Sequence, residues 1–271
     1  MTWINGKPQA TLAANDRAVQ FGDGSFSTAR IKAGKVQLLT AHLQRLRLGC
    51  ERLLIEGCDW AALEQEMCSL AATTQDAVLK VIISRGAGGR GYSPAGCQQP
   101  TRILTLSNLP AHYLPLQQQG ACLVTSPVQL ARNPLLAGIK HLNRLEQVLI
   151  RARLEQTGAD EALVLDTQGV VVECCAANLF WREGEQVFTP SIAHAGVDGV
   201  MRQHLLSVMA QMSLDCQIVE VMPGRLKAAD EVWICNALMP ILPVRQIDDT
   251  HYASRQFFYH LLAACCYQDL L

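Results

Sequence analysis

Two charged residues stand where the surrounding sequence is apolar. Lys140 follows Pro134-Leu135-Leu136-Ala137-Gly138-Ile139 ahead of a helical stretch, and Glu173 follows Val170-Val171-Val172 ahead of Cys174-Cys175-Ala176-Ala177. A buried charge without a partner is costly, so each is expected to meet one. The plainest arrangement is mutual neutralisation, or access to solvent at the ends of their elements. Their chemistry as a pair reaches further. A desolvated lysine amine loses its proton and can form a Schiff base, and a carboxylate in a dry site can keep a pyridinium nitrogen protonated. Together the two suit reactions on a pyridine-ring aldehyde.

A phosphate on such a ring needs backbone N–H donors at a helix start and a nearby cation. The stretch Gly196-Val197-Asp198-Gly199-Val200-Met201-Arg202 leads two glycines into an amphipathic helix, which makes the N–H groups of Val200 and Met201 candidate donors. Arg45 is the candidate cation, on a helix expected to start at Thr40 and to carry Leu43, Leu46, Cys50, Leu53 and Leu54 on one face. Lysine, carboxylate, helix start and cation are the set that pyridoxal phosphate requires.

Other motifs carry less. Gly86-Ala87-Gly88-Gly89-Arg90-Gly91 has dinucleotide-loop spacing after an expected strand, but Tyr92-Ser93-Pro94-Ala95-Gly96 follows where a helix should open, so nicotinamide binding is rejected. The loop reads instead as a flexible carrier that presents Arg85 or Arg90 to a substrate carboxylate. Seven histidines occur, none at HxxxH spacing, and no GxSxG elbow is present. No metal site is expected.

These residues must be positioned by 271 residues with 23 basic and 24 acidic side chains, 49% hydrophobic. That balance suits a packed globular protein and gives no electrostatic reason to bind nucleic acid or an anionic membrane, so a small-molecule partner is expected. No signal peptide or membrane span is read, and the eleven cysteines, with no CxxC, read as reduced core residues of a cytoplasmic protein. Periodicity predicts hairpins at 1–12 and 24–39, helices near 40–54 and 60–72, and a strand at 77–84. A linker at 109–120 is followed by a strand at 121–126, a helix at 142–156, strands from 161 to 189, and helices at 199–212 and 254–262. The fold class is α+β in two domains, a small one over 1–113 and a larger, cofactor-binding one over 114–271, with a ligand cleft expected between them.

Four motifs in this order, HxxRL (His42 to Leu46), Lys140 before NRLEQVLIR (Asn143 to Arg151), Glu173 before AANLF (Ala176 to Phe180) and GVxGVMR (Gly196 to Arg202), resemble the fold-type IV pyridoxal phosphate enzymes. That group includes branched-chain and D-amino acid aminotransferases, and the resemblance covers essentially the whole chain. FGDGSFSTAR (Phe21 to Arg30), ISRGAGGRGYS (Ile83 to Ser93), AGIKHLNRLEQVLIR (Ala137 to Arg151) and ICNALMPILPV (Ile234 to Val244) look specifically like its lyase branch, which eliminates pyruvate from an aminated enolpyruvyl ether on the way to folate. The resemblance implies that Lys140 carries the cofactor, Glu173 pairs with the pyridine nitrogen, and Arg45 with Val200 and Met201 holds the phosphate. It also implies that Thr28 assists proton transfer and that the chain is a homodimer. Arg30, Arg85 and Arg90 are candidates for the substrate carboxylates. Where the aminotransferases carry a phosphate-binding Thr and a Tyr, this chain has Ala237 and Leu145, with Asn236 in reach to replace the lost phosphate contact. An aminotransferase of the same fold is the alternative, and a non-catalytic scaffold is disfavoured because Lys140 and Glu173 are both kept.

Overall fold

The computed structural model describes residues 1–239 and 241–265. Two compact units form, one of Met1–Leu109 with Ile139–Asn143, the other of Pro110–Gly138 with the chain from Arg144 onward. The return of Ile139–Asn143 to the first unit is a feature that a single cut along the chain has no place for.

In the first unit, β1 (Thr2–Ile4), β2 (Lys7–Pro8), β3 (Gly24–Lys32), β4 (Lys35–Val36), β5 (Asp76–Ser84) and β6 (Thr101–Ser107) make one antiparallel sheet in the order β2-β1-β6-β5-β3-β4. A short helix α1 (Arg17–Phe21) precedes β3, and α2 (Leu39–Arg52) and α3 (Trp60–Ala71) follow β4. Strand alternation sets the faces. Ala29 and Ile31 on β3, with Leu79, Val81 and Ile83 on β5, point to the helices, and Ile31 and the three β5 residues pack with Leu43, Leu46, Leu63 and Met67. Phe26, Thr28 and Arg30 take the other face and stay half-buried. Helix α2 starts one residue before Thr40, with Leu38 rather than Thr40 at the cap, and Leu54 turns outward at φ 55° instead of joining the buried stripe.

The second unit holds α4 (Tyr113–Gln119), β7 (Ala121–Thr125), α5 (Leu145–Leu154), β8 (Glu161–Leu165), β9 (Val171–Cys174), β10 (Asn178–Glu183), β11 (Gln186–Pro190), α6 (Val200–Gln211), β12 (Cys216–Val219), a 3-10 turn (Pro223–Ala228), β13 (Glu231–Cys235), β14 (Leu242–Ile247), β15 (Thr250–His251) and α7 (Gln256–Ala264). The expected linker thus contains helix α4, with Pro115 in its first turn, where a missing N–H costs nothing. The sheet is mixed, in the order β12-β11-β10-β13-β14-β7-β8-β9 with β15 on β14. Both of its faces are covered: Leu163 joins the cluster of Trp181, Val232 and Ile234, while Ala162 and Val164 join that of Ile150, Leu154 and Val172. Burial on both faces explains why these strands read as unbroken apolar runs. Of ten described cysteines, all unbridged, only Cys50, Cys174, Cys235 and Cys265 are buried, and Cys266 lies outside the described residues. No described helix is long and apolar enough to cross a membrane.

Within the first unit the returning segment is laid along the start of β3. Phe26 N–H donates to the Lys140 carbonyl (2.9 Å), Leu142 N–H to Gly24 O (3.0 Å), and Asn143 Nδ2 to Gly22 O (3.0 Å). Gly24 permits this approach, since a Cβ there would stand 2.4 Å from Ile83 O and 2.9 Å from Leu142 Cδ1. Gly24→Ala is expected to cost about 2 kcal/mol by overpacking, read as a lower urea midpoint, and an unchanged midpoint would contradict the tight docking.

Candidate active site

Lys140 is fixed through its backbone. Its carbonyl takes the Phe26 N–H and the Ser25 hydroxyl (3.4 Å), while its Nζ lies 4.7 Å from the centre of the Phe26 ring. Lys80 on β5 places its own Nζ 5.1 Å from the same ring, and its Cα is the cross-strand partner of Thr28. Directly opposed side chains on neighbouring strands are within contact distance. One exposed sheet face of the first unit therefore gathers Lys140, Lys80, Thr28 and Phe26. Arg45 sits on α2, and its Nη2 donates to the Ser27 hydroxyl.

In the second unit Glu173 is buried at the end of β9, 5% exposed, and its Oε2 accepts the Val197 N–H (2.9 Å). Arg144 adds an attractive charge: burial pulls its guanidinium down, and Glu173 followed by Glu146 pulls it back up. The loop Gly196–Gly199 closes around this carboxylate. Gly196, at φ 87°, would put a Cβ 2.5 Å from Val172 Cγ1 and 3.3 Å from Glu173 Oε2. Gly199 would put one 2.0 Å from Asn178 Oδ1, whose amide holds Val197 O (3.0 Å). Only glycine fits either place. Gly138, two residues before Lys140, exchanges bonds with the same loop, donating to Gly196 O (2.9 Å) and accepting from Asp198 N–H (3.0 Å). The loop feeds α6 with Gly199 at its cap and Val200 and Met201 in its first turn. A buried carboxylate acceptor beside the N–H donors of a helix start is a set that fits a phosphorylated pyridine ring.

Two residues assigned to ligands from the sequence are engaged within the fold. Arg85 is spent on the fold: it grips Asp23 through Nε (2.7 Å) and Nη2 (3.1 Å) and donates to the carbonyls of Leu53 (2.7 Å) and Leu54 (2.6 Å), the end of α2. Asn236 is engaged as well. Its Oδ1 accepts from Leu238 and Met239 N–H (2.9 Å each), and its Nδ2 donates to Ala176 O (3.1 Å). Arg30 pairs with Asp76 (3.4 Å), and Arg90 is exposed.

The glycine-rich loop is tied down, in contrast to the flexible carrier expected. Arg17, 4% exposed, binds Asp23 (2.8 Å) and the carbonyls of Gly91 (3.1 Å), Tyr92 (3.3 Å) and Ser93 (3.3 Å). Buried Asp16 takes the hydroxyls of Ser84 (2.7 Å) and Thr101 (2.8 Å). The sequence reading missed Asp16, Arg17, Arg144 and Lys80. Lys80 alone carried the signal already used for Lys140, a charge inside the apolar strand AVLKVIIS.

A family model of amino-transferase class IV matches residues 24–247, and the chain belongs to that family. Its fold is the α+β, fold-type IV one. Among curated relatives, the chain is 41% identical over 249 residues to an aminodeoxychorismate lyase of Vibrio harveyi, covering 91% of each chain. Among solved structures, it superposes on 4-amino-4-deoxychorismate lyase from Pseudomonas aeruginosa with a TM-score of 0.94 and 40% identity, over 100% of this chain and 99% of that one. A hypothetical aminotransferase from Mycobacterium tuberculosis in a PLP-bound form shares the fold at a TM-score of 0.87 and 20% identity, covering 98% of each.

Burial pushes the Asp23 carboxyl up, but the bonds and charges of Arg85 and Arg17 outweigh this and hold it below 3.8. A depressed carboxylate lends stability above its unfolded value and loses it as pH falls through the folded one. The urea midpoint is expected to drop as pH falls below the ordinary carboxylate range, and to drop less in Asp23→Asn; parallel curves would remove Asp23 from this role.

Proposed function

We propose that this chain is a pyridoxal phosphate-dependent lyase that converts 4-amino-4-deoxychorismate to 4-aminobenzoate and pyruvate, a step of folate biosynthesis, in the cytoplasm and as a homodimer. The observation that carries the reading is the docking of Lys140, by its carbonyl, on the strand that bears Thr28. The 41% identity to a lyase of that name supports the choice of reaction.

In this reading Lys140 carries the cofactor, Glu173 keeps its ring nitrogen protonated, and Arg45 with the N–H groups of Val200 and Met201 binds its phosphate. The bound cofactor supplies an electron sink. The Lys140 amine would take the proton from the amine-bearing carbon of the substrate. The enolpyruvyl C–O bond then breaks, and Thr28 or the protonated Lys140 delivers the proton with which pyruvate leaves. Aromatisation of the ring makes this outcome downhill. Arg30, Arg90 and Lys80 are the cations for the two carboxylates, Arg85 being held by Asp23. Asn236 orders the loop behind Glu173 through Ala176 O, and its amide is the further candidate for the phosphate. The aminotransferase alternative is disfavoured because Leu145, 78% exposed at the start of α5, and Ala237 offer no hydroxyl. The dimer reading is supported by α5, whose outer side bears Leu145, Val148 and Leu149, 78%, 59% and 56% exposed.

Incubated with 4-amino-4-deoxychorismate and no keto acid, the holoenzyme is expected to release 4-aminobenzoate and pyruvate in equal amounts over many turnovers, and Lys140→Ala to release neither. Bleaching of the cofactor absorbance by a simple amino acid, with no 4-aminobenzoate formed, would instead indicate an aminotransferase. Val148→Glu with Leu149→Lys is expected to shift the sedimentation mass from two chains to one; a monomeric wild type would end the dimer reading.

A further inference from the structure

Beneath Arg45 lies a polar pair that the core does not need. Ser27, on the helix-facing side of β3, and His42, one turn before Arg45 on α2, are each 1% exposed. They sit beside a cluster of Ile31, Leu43, Leu46, Leu79 and Val81, where two apolar side chains would pack at lower desolvation cost. Their bonds run toward Arg45. The Ser27 hydroxyl lies 2.6 Å from His42 Nδ1, Arg45 Nη2 donates to that hydroxyl, and Nη2 is 3.5 Å from Nδ1.

The placement of the Arg45 donor sets the direction of the chain. A guanidinium only donates, so Ser27 Oγ accepts from Arg45; the same Nη2 lies 3.5 Å from His42 Nδ1, which favours an acceptor at Nδ1 and sends the Ser27 proton there. His42 must then carry its proton on Nε2 and stay neutral. Burial first, and the Arg45 charge second, hold the imidazole down to about 3, which keeps the ring neutral near pH 7. The result is a one-way relay from arginine to serine to histidine, which holds one edge of a rotamer-rich side chain against a rigid strand and helix.

We propose that Ser27 and His42 are positioning residues that set the Arg45 guanidinium for a phosphate ester, and so determine how strongly the protein prefers pyridoxal phosphate to unphosphorylated pyridoxal. This rests on the reading of Arg45 as the phosphate-binding cation. It assigns function to the HxxR spacing itself: three residues on a helix put His42 and Arg45 on one side, both within reach of a single hydroxyl.

The test is a pair of binding titrations on apoprotein, with pyridoxal phosphate and with pyridoxal, followed by absorbance. The measured quantity is the ratio of the two dissociation constants. Arg45→Ala is expected to lower that ratio about a hundredfold, and Ser27→Ala and His42→Leu about tenfold each, with pyridoxal affinity held within about twofold. His42→Asn, which places a carbonyl oxygen near the Nδ1 position, is expected to recover most of the loss. Ser27→Cys is the replacement should Ser27→Ala not fold. If Arg45→Ala lowers the ratio while Ser27→Ala and His42→Leu leave it unchanged, the relay is overturned and the phosphate reading stands. If Arg45→Ala leaves the ratio unchanged, the phosphate reading falls and the relay with it. An equal loss of affinity for both ligands in Ser27→Ala and His42→Leu would mark a purely structural role and also overturn the proposal.

Discussion

A hydrogen bond from Phe26 N–H to the Lys140 carbonyl, 2.9 Å long, joins the returning segment to the strand that bears Thr28. The rest of the first unit is arranged so that this bond can form. Gly24 keeps β3 clear of both Ile83 O and Leu142, and Gly49 lets α2 come close to Ser25, whose hydroxyl also reaches the Lys140 carbonyl. With the backbone pinned, the lysine explores only its own rotamers, as the proposed role of its amine requires.

A second constraint is the allocation of cations. The first unit places three arginines near β5 and the glycine loop, and uses Arg17 and Arg85 to hold one aspartate and a set of carbonyls. With four N–H bonds each to these partners, the two guanidinium groups are committed mainly to the fold. In the proposed reading the substrate carboxylates are left to half-buried Arg30, exposed Arg90 and Lys80, the last of them opposite Thr28. The same economy appears in the second unit, where Asn236 shapes the loop around Ala176.

Much of this was legible in the sequence. Apolar runs broken by one charge marked Lys140 and Glu173, and glycine pairs before an amphipathic stretch marked the start of α6. β3 and its turn at Ala33-Gly34 were bounded correctly by alternation and by a turn suited to positive φ. What escaped was long-range. Nothing local tells that Arg85 reaches the carbonyls of Leu53 and Leu54, that Arg17 reaches Ser93, 76 positions along the chain, or that residues 139–143 return to β3. Periodicity reports which face of an element is buried; it does not report the partner of a polar side chain.

The grip of Arg17 on three successive carbonyls has a thermodynamic consequence. Gly86, Gly88, Gly89 and Gly91 all adopt positive φ, and glycines lose more conformational entropy on ordering than any other residue. Fixing such a stretch costs about 1–2 kcal/mol for each residue. Here that cost is met during folding, by the buried Arg17, Asp16 and Asp23 contacts, and not at the moment of association. A molecule that settles against Arg90 meets a surface already in place, so its affinity is not diminished by the ordering of the loop.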